Sequence, residues 1–330
     1  TLDANGGASD ITLDDNGDAT YTNTFGTLVL TGNNVTVYEN AAMDFGATSV
    51  GTNLVAQAET GDISDSGAVT VGGTSQFTVA DTQSVVLDVV GNDFTGNVTF
   101  GSAGTIANVT VDDASAFAIQ AGLTISGNLD ITAGGAITDL GAVSVGGTSR
   151  FATDVAADVT LDGASTYTGT VSFDTTVGTT TGNAALTNAA SAIDLGASAV
   201  EGTLQVGAGG AITDSGNVLV SGTTTLDAGA GNNITLDQAG NDFDNDDTGD
   251  GVSITSGNNV TLVDVDAIVL GASTISGTLD VTASGTITDS GTVSVTGTVT
   301  LDANGGASDI TLDDNGDATY TNTFGTLVLT

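Results

Sequence analysis

The residues best suited to chemistry are five aspartates in one short stretch of the chain. The stretch reads DFDNDDTGDG from residue 242 to 251 and contains Asp242, Asp244, Asp246, Asp247 and Asp250. Carboxylates ahead of a glycine turn suit Ca²⁺, which takes roughly six to eight oxygen ligands at about 2.3–2.6 Å. The glutamate that closes an EF-hand loop is missing, so the match is partial. These five aspartates are the predicted metal ligands, and a solvated turn is the alternative.

Carboxylate pairs could also hydrolyse glycosidic bonds in a polysaccharide. A working pair is singular and has neighbours that tune its pKa values, whereas these carboxylates recur along the chain. The chain has no His, no Cys and a single basic residue, Arg150, which takes the place of Gln76 in an earlier copy of the same motif. A Ser–His or Cys–His arrangement therefore cannot form. The sequence predicts no enzyme, no catalytic residue and no cofactor other than Ca²⁺.

The charge of the chain is strongly negative. There are 40 Asp and Glu residues against one base, a formal net charge of −39. Nucleic acids and anionic membranes attract proteins through Lys and Arg, so the charge argues against both as partners. It favours divalent cations near the surface, because carboxylates repel one another unless they are screened. No apolar run reaches the roughly 18 residues that span a bilayer, so we expect no membrane insertion.

The carboxylates stand in a chain built from repeats. The motif ITDSG begins at Ile287, and close copies begin at Ile63, Ile137 and Ile212, at intervals of 74, 75 and 75 positions. Residues 300–330 are identical to residues 1–31, an offset of 299, or four of the smaller units. Self-similarity at a fixed period decides the architecture. We expect four units of about 75 residues in each 299-residue period, and a parent protein that continues the array.

Each unit consists of short strand patterns. Apolar and polar residues alternate over three to five positions, and Gly, Asn or Asp stands between these runs, as is typical of strands and turns. An aromatic element recurs at Asn92-Asp93-Phe94 and Asn241-Asp242-Phe243, and the spacing puts Tyr21 and Tyr320 in the same place. The absence of proline fits strands that pair on both sides.

The spacing of similar strands predicts the fold. After Val260 they return at Leu279, Val299 and Thr319, in steps of 19, 20 and 20 positions. Such steps suit the coils of a parallel β-solenoid with three short faces, stacked at about 4.8 Å. A right-handed helix is expected because parallel crossovers prefer that hand. The predicted fold is all-β, a right-handed parallel β-helix of about 19–20 residues per coil and about four coils per unit, forming one elongated domain over residues 1–330.

Two stretches resemble a known group of proteins. SGNLDITAGGAITD from Ser126 and GTTTLDAGAGNNITLDQAGNDF from Gly222 are similar to bacterial giant surface proteins with β-strand repeats, akin to filamentous haemagglutinin-type adhesins. The resemblance covers all four units. It implies a right-handed β-helix, secretion to the bacterial cell surface, and a role in adhesion or in extracellular fibres. The family has no shared catalytic residues.

The sequence thus predicts the structural, non-catalytic shaft of a giant extracellular adhesin or of a self-assembling surface fibre. The expected partners are other copies of the chain, by lateral or end-to-end association, together with divalent cations or surface glycans. A competing hypothesis is a binding module in which one face of the solenoid recognises a glycan or ice. A polysaccharide-active β-helix enzyme is the least favoured alternative.

Overall fold

The computed structural model of the chain describes residues 1–14, 23–175, 182–246, 248–312 and 321–330. The chain divides into two compact structural units, which are not the 75-residue repeats: the first unit is Thr1–Asp154 and the second unit is Val155–Thr330. Each is described by itself. Both consist of short parallel strands wound into a β-solenoid, with about 14 turns in all. Among the described residues the helix content is one 3₁₀ turn, Asn304–Gly306. The predicted all-β solenoid is confirmed, whereas the single domain over residues 1–330 stays a prediction.

A regular turn contains three strands. One turn of the first unit runs through Leu129–Ala133, Ile137–Asp139 and Ser144–Val145 and returns at Ser149–Thr153. The returning strand pairs in parallel with the strand it stacks on, and Leu129 lies opposite Ser149. The turn that begins at Leu204–Ala208 in the second unit has the same three-strand form. These are the three faces that the sequence predicts.

The described strands of the first unit are Leu2–Asp3, Ile11–Leu13, Thr27–Leu28, Leu30–Gly32, Val35–Glu39, Met43–Phe45, Thr48–Val50, Leu54–Ala58, Ile63–Asp65, Val69–Val71, Ser75–Val79, Val85–Leu87, Asp93–Phe94, Val98–Ser102, Val109–Asp113, Phe117–Ile119, Thr124–Ile125, Leu129–Ala133, Ile137–Asp139, Ser144–Val145 and Ser149–Thr153.

The described strands of the second unit are Val159–Leu161, Thr166–Tyr167, Val171–Asp174, Ala184–Ala189, Ile193–Leu195, Ser198–Val200, Leu204–Ala208, Ile212–Asp214, Val218–Val220, Thr224–Asp227, Ile234–Leu236, Val252–Ser256, Val260–Asp264, Ile268–Leu270, Ser273–Ile275, Leu279–Ala283, Ile287–Asp289, Val293–Ala303, Ile310–Thr311 and Thr323–Leu329.

Alternating side chains build the core. Val35–Glu39 and Leu129–Ala133 both bury every second residue, because successive side chains of a strand point to opposite faces. Phe77 lies edge-on to Phe94, with ring centres 5.9 Å apart, and stacks on Phe100 at 6.2 Å. Each such buried side chain stabilises the fold by about 1.5–3 kcal/mol. No helix among the described residues has the length and apolar character to cross a membrane.

The length of a turn varies more than the sequence predicts. Val260 pairs with Leu279, and Leu279 with Val299, which confirms steps of 19 and 20 positions. Val299 then pairs with Leu327, a step of 28, and Thr319 lies outside the described residues. Paired residues of the described strands are separated by as few as 17 and as many as 29 positions. The longer turns have more residues in the connections, which is tolerated because loop-closure entropy grows slowly with length.

The aromatic element of the last repeat differs in position from the prediction. Phe94 and Phe324 both pair with the strand that follows an ITDSG-type motif, so Phe324 is the counterpart of Phe94. Tyr21 and Tyr320 lie outside the described residues. The prediction was wrong because the connection that leads to Phe324 is longer than the one that leads to Phe94.

One repeat of the first unit contains three turns and one further strand. Three parallel pairings lead from Ile63 through Val85 and Val109 to Leu129. The next copy of the motif, at Ile137, lies on the following strand. A repeat therefore makes three and a third turns, whereas the sequence predicted about four coils. The difference arises because the turns from Ile63 to Val85 and from Val85 to Val109 are longer than the regular step.

The second unit repeats this path. Three pairings lead from Ile212 through Ile234 and Val260 to Leu279, and Ile287 begins the next strand. In both units the motif thus moves to the neighbouring face from one repeat to the next. Equivalent side chains of consecutive repeats consequently point in different directions.

Candidate functional site

Of the five predicted calcium ligands, the four that the structure describes do not form one cluster. Asp244, Asp246 and Asp250 each offer a carboxylate oxygen within 4.8 Å of the other two. Asp242 belongs to a second acidic group, and Asp247 lies outside the described residues. The stretch from 242 to 250 therefore contributes to two groups of carboxylates.

The first group is organised by the backbone of its own loop. Asp244 is buried, and its two oxygens accept hydrogen bonds from the N–H groups of Thr248 at 3.0 Å, Gly249 at 2.8 Å and Asp250 at 3.3 Å. The hydroxyl of Thr248 donates to Asp246 at 2.8 Å. These bonds hold three carboxylates together in a loop whose sequence contains no basic residue. Three carboxylates and loop oxygens are hard ligands of the kind that Ca²⁺ prefers.

The second group contains two aspartates that the sequence pattern did not indicate. Asp242, Asp264 and Asp266 offer oxygens within 4.8 Å of one another. Asp264 is only 2 % exposed and accepts hydrogen bonds from the N–H groups of Phe243 at 3.1 Å and Asp266 at 2.9 Å. Burial raises the pKa of Asp264 to about 7, and the charge of Asp266 acts in the same direction. Such a carboxyl either keeps a proton or needs a nearby cation.

A repeat alignment could have identified Asp264. It is the fifth residue after Asn259, just as Asp113 follows Asn108 and Glu39 follows Asn34. All three carboxyls are buried at the end of a strand, and each accepts the backbone N–H of a phenylalanine on the preceding turn. The recurrence of an acid at this position is the signal that the sequence contained.

The aspartate of the ITDSG motif joins one turn to the next. Asp65, Asp214 and Asp289 each accept a hydrogen bond at 2.6 Å from an asparagine amide of the next turn, from Asn92, Asn241 and Asn322 respectively. The carbonyl oxygen of the same asparagine accepts a backbone N–H four residues after the aspartate, at 2.7–2.9 Å. We call this pair of contacts the Asp–Asn clasp. Burial raises the pKa of Asp65, against the hydrogen bond from Asn92.

Asparagines also stack at the corners between strands. In the first unit the Oδ1 atom of Asn108 accepts the N–H of Asn128 at 2.8 Å, and Asn128 accepts the N–H of Thr148 at 2.9 Å. In the second unit Asn259 likewise accepts the N–H of Thr278 at 3.1 Å. These corner ladders satisfy backbone donors where the chain turns and the strand pairing is interrupted. Hydrogen bonds from Asn34 and Asn33 lower the pKa of Asp10, the first member of one ladder.

The basic residue of the chain, Arg150, lies on an outward face. Its guanidinium is 3.2 Å from Asp130 on the preceding turn and 3.2 Å from the hydroxyl of Thr132. Both partners of the ion pair are 44 % exposed, so the pair stabilises the fold by no more than about 1 kcal/mol. This position agrees with a surface variation of the repeat.

These contacts define a class of protein, a tandem-repeat β-solenoid whose polar signature residues join one turn to the next. The chain belongs to the family described as repeats of unknown function (DUF5649), which matches residues 32–101, 106–174, 181–248 and 257–330. The four matches begin at intervals of 74, 75 and 76 positions, which confirms the repeat period. No curated protein and no solved structure matches the chain.

Proposed function

We propose that this chain is a repeated segment of the structural shaft of a giant extracellular bacterial protein, either an adhesin or a self-assembling surface fibre. The observation that carries the proposal is that the polar residues of the repeat form hydrogen bonds between its own turns. The Asp–Asn clasps and the corner ladders direct carboxylates and amides to the adjacent turn. Signature residues that serve cohesion between turns suit a protein whose work is mechanical.

The path of the repeat supports a shaft over a one-face binding module. A ladder that recognises ice or a glycan needs the same side chains on one face over many turns. Here the motif moves to the neighbouring face after one repeat, from Ile63 to Ile137 and from Ile212 to Ile287. Whatever a repeat presents outward is thus turned toward a new direction by the next repeat. This arrangement favours association with other copies of the chain on several sides of the solenoid.

Divalent cations are the proposed link between neighbouring copies. With a net charge of −39, two copies repel each other unless cations lie between them. The carboxylate groups at Asp244, Asp246 and Asp250 and at Asp242, Asp264 and Asp266 are where Ca²⁺ would first be held. Side-by-side association would then depend on Ca²⁺ rather than on ionic strength alone.

Electron microscopy of the chain tests this proposal under three conditions: with Ca²⁺, with a chelator, and with NaCl matched to the ionic strength of the Ca²⁺ sample. We expect thin rods that lie side by side in Ca²⁺ and separate in the other two. Rods that stay single in all three conditions would make the segment a spacer and contradict self-assembly. Rods that associate equally in NaCl would show that simple screening, without bound Ca²⁺, is sufficient.

A further inference from the structure

The carboxyl group of Asp113 is buried where two turns of the solenoid stack. This residue ends the strand Val109–Asp113 and is 1 % exposed. Its Oδ1 atom accepts the N–H of Phe94 on the preceding turn at 3.2 Å, and both the N–H and the hydroxyl of Ser115 at 3.0 Å. Its Oδ2 atom is buried and has no hydrogen-bond partner in the part of the chain that the structure describes. An ionised oxygen in that position would have lost its water without replacement.

Glu39 holds the equivalent place one repeat earlier. It is fully buried, its Oε1 atom accepts the N–H of Phe25 at 2.7 Å, and its Oε2 atom has no partner among the described residues. In the third repeat Ala189 lies opposite Ala208, just as Asp113 lies opposite Ala133, so the chain itself accepts an uncharged side chain at this position.

The described surroundings of both carboxyls offer no compensating charge. The charge of Asp93 on the preceding turn acts on Asp113, and the charge of Asp113 acts on its chain neighbour Asp112, so the titratable groups around Asp113 are acidic. Its pairing partner on the following turn is Ala133. Glu39 pairs with Ala58, which Glu59 follows. The chain has one basic side chain, Arg150, and it contacts Asp130.

We propose that protonation of Asp113 and Glu39 strengthens the contact between stacked turns. The solenoid is then more stable against unfolding in mildly acidic surroundings than in alkaline ones. In the neutral form each carboxyl fills its place without an uncompensated charge. In the ionised form it places a charge between two stacked turns. The inference concerns the cohesion of the turns and does not depend on the extracellular role proposed above.

The direction of the pH effect follows from linkage. Burial raises the pKa of Asp113, with a further contribution from the charge of Asp93, and burial also raises the pKa of Glu39. The folded chain therefore binds more protons than the unfolded chain at pH values between the two pKa values of each group. Stability rises as the pH falls from above the folded pKa toward the unfolded values of about 3.9 for Asp and 4.3 for Glu.

Denaturant unfolding of the full chain at pH 5 and pH 8 tests the proposal. We compare the wild type with Asp113→Asn and Glu39→Gln, and use Asp280→Asn as the matched control because Asp280 is an exposed aspartate. The wild-type midpoint should be higher at pH 5 than at pH 8. Each of the two test variants should raise the midpoint at pH 8 and reduce the difference between the two pH values, whereas the control should leave the difference unchanged.

Two outcomes would overturn the proposal. One is a pair of test variants that keep the full difference between pH 5 and pH 8, or that lower the midpoint at pH 8. The other comes from a carboxyl-carbon NMR titration of the wild-type chain, which needs no variant to fold. There Asp113 should titrate clearly above about 3.9, and a value at or below that would show that its carboxyl is ionised at ordinary pH.

Discussion

Asp214 accepts a hydrogen bond from Asn241 on the next turn, with 2.6 Å between Oδ2 and Nδ2. The two side chains are 8 % and 0 % exposed. The side-chain oxygen of Asn241 in turn accepts the N–H of Val218 at 2.9 Å, so one asparagine holds two positions of the preceding turn. This clasp links the ITDSG motif of one turn to the aromatic element of the next. The recurrence of both motifs has a structural cause.

Breaking the clasp should destabilise the solenoid. We expect Asp214→Ala and Asn241→Ala each to lower the free energy of unfolding by about 1–3 kcal/mol, because each leaves a buried polar partner unsatisfied. The double variant should lose less than the sum, since the second change removes the group that the first one orphaned. A double-mutant cycle by denaturant unfolding measures this coupling. Asp280→Ala, on the exposed surface, should stay within about 0.5 kcal/mol, and strictly additive losses would contradict the clasp.

A buried hydroxyl at one repeat position should be replaceable with a gain in stability. Thr224 is fully buried and its Oγ1 atom has no hydrogen-bond partner among the described residues, while the last repeat has Val299 at the same distance from its ITDSG motif. Thr224→Val keeps the shape and removes the unsatisfied hydroxyl, so we expect the free energy of unfolding to rise by about 1 kcal/mol. The outward neighbour Thr225→Val is the control and should change it little. A lower free energy of unfolding for Thr224→Val would contradict the assignment of the Thr224 hydroxyl as buried and unsatisfied.

Some glycines are required by the close stacking of turns. A Cβ atom at Gly73 would collide with the carbonyl oxygen of Thr52 on the preceding turn, whereas a Cβ at Gly26 meets open space. Gly73→Ala should therefore cost about 1–3 kcal/mol, because the obstacle is backbone and cannot rotate away. Gly26→Ala should be neutral or slightly stabilising, since it restricts only the unfolded chain. Thermal unfolding of the two variants compares them, and equal losses would argue against the stacking described.

Calcium binding should depend on the loop around Asp244. We expect Ca²⁺ to bind the chain, and Asp244→Asn to weaken that binding at least about tenfold by removing the carboxylate that closes the group. Bound Ca²⁺ should also stabilise the fold, by about 2.7 kcal/mol when its concentration is 100 times the Kd. Isothermal titration measures the affinity, and Asp280→Asn controls for the loss of one negative charge. Identical isotherms for Asp244→Asn and the wild type would exclude a site at this loop.

The fold was predictable because its signal is local and repeated. Alternating Val, Thr and Leu with Asn or Gly between them predicts parallel strands, and the steps from Val260 to Leu279 and Val299 are confirmed. The number of turns per repeat was not predictable. It depends on which strands pair across longer connections, and Val299 pairs with Leu327 rather than at the regular step of 20.

The acidic groups were predictable only in part. Asp244, Asp246 and Asp250 are close in sequence and close in space. Asp242 lies near Asp264 because one turn of the solenoid returns over another, and sequence proximity does not report that contact. Alignment of one repeat with the next reveals the missing acid, because an acidic residue recurs at the same position, at the end of a strand.

The fractional number of turns per repeat has a consequence for how such arrays change length. Because one copy advances the chain by three turns and one strand, gaining or losing a single copy would rotate every later element onto the neighbouring face. Only changes in multiples of three copies would preserve the outward direction of the later repeats. The number of copies would thus determine the direction in which the later repeats face as well as the length of the array.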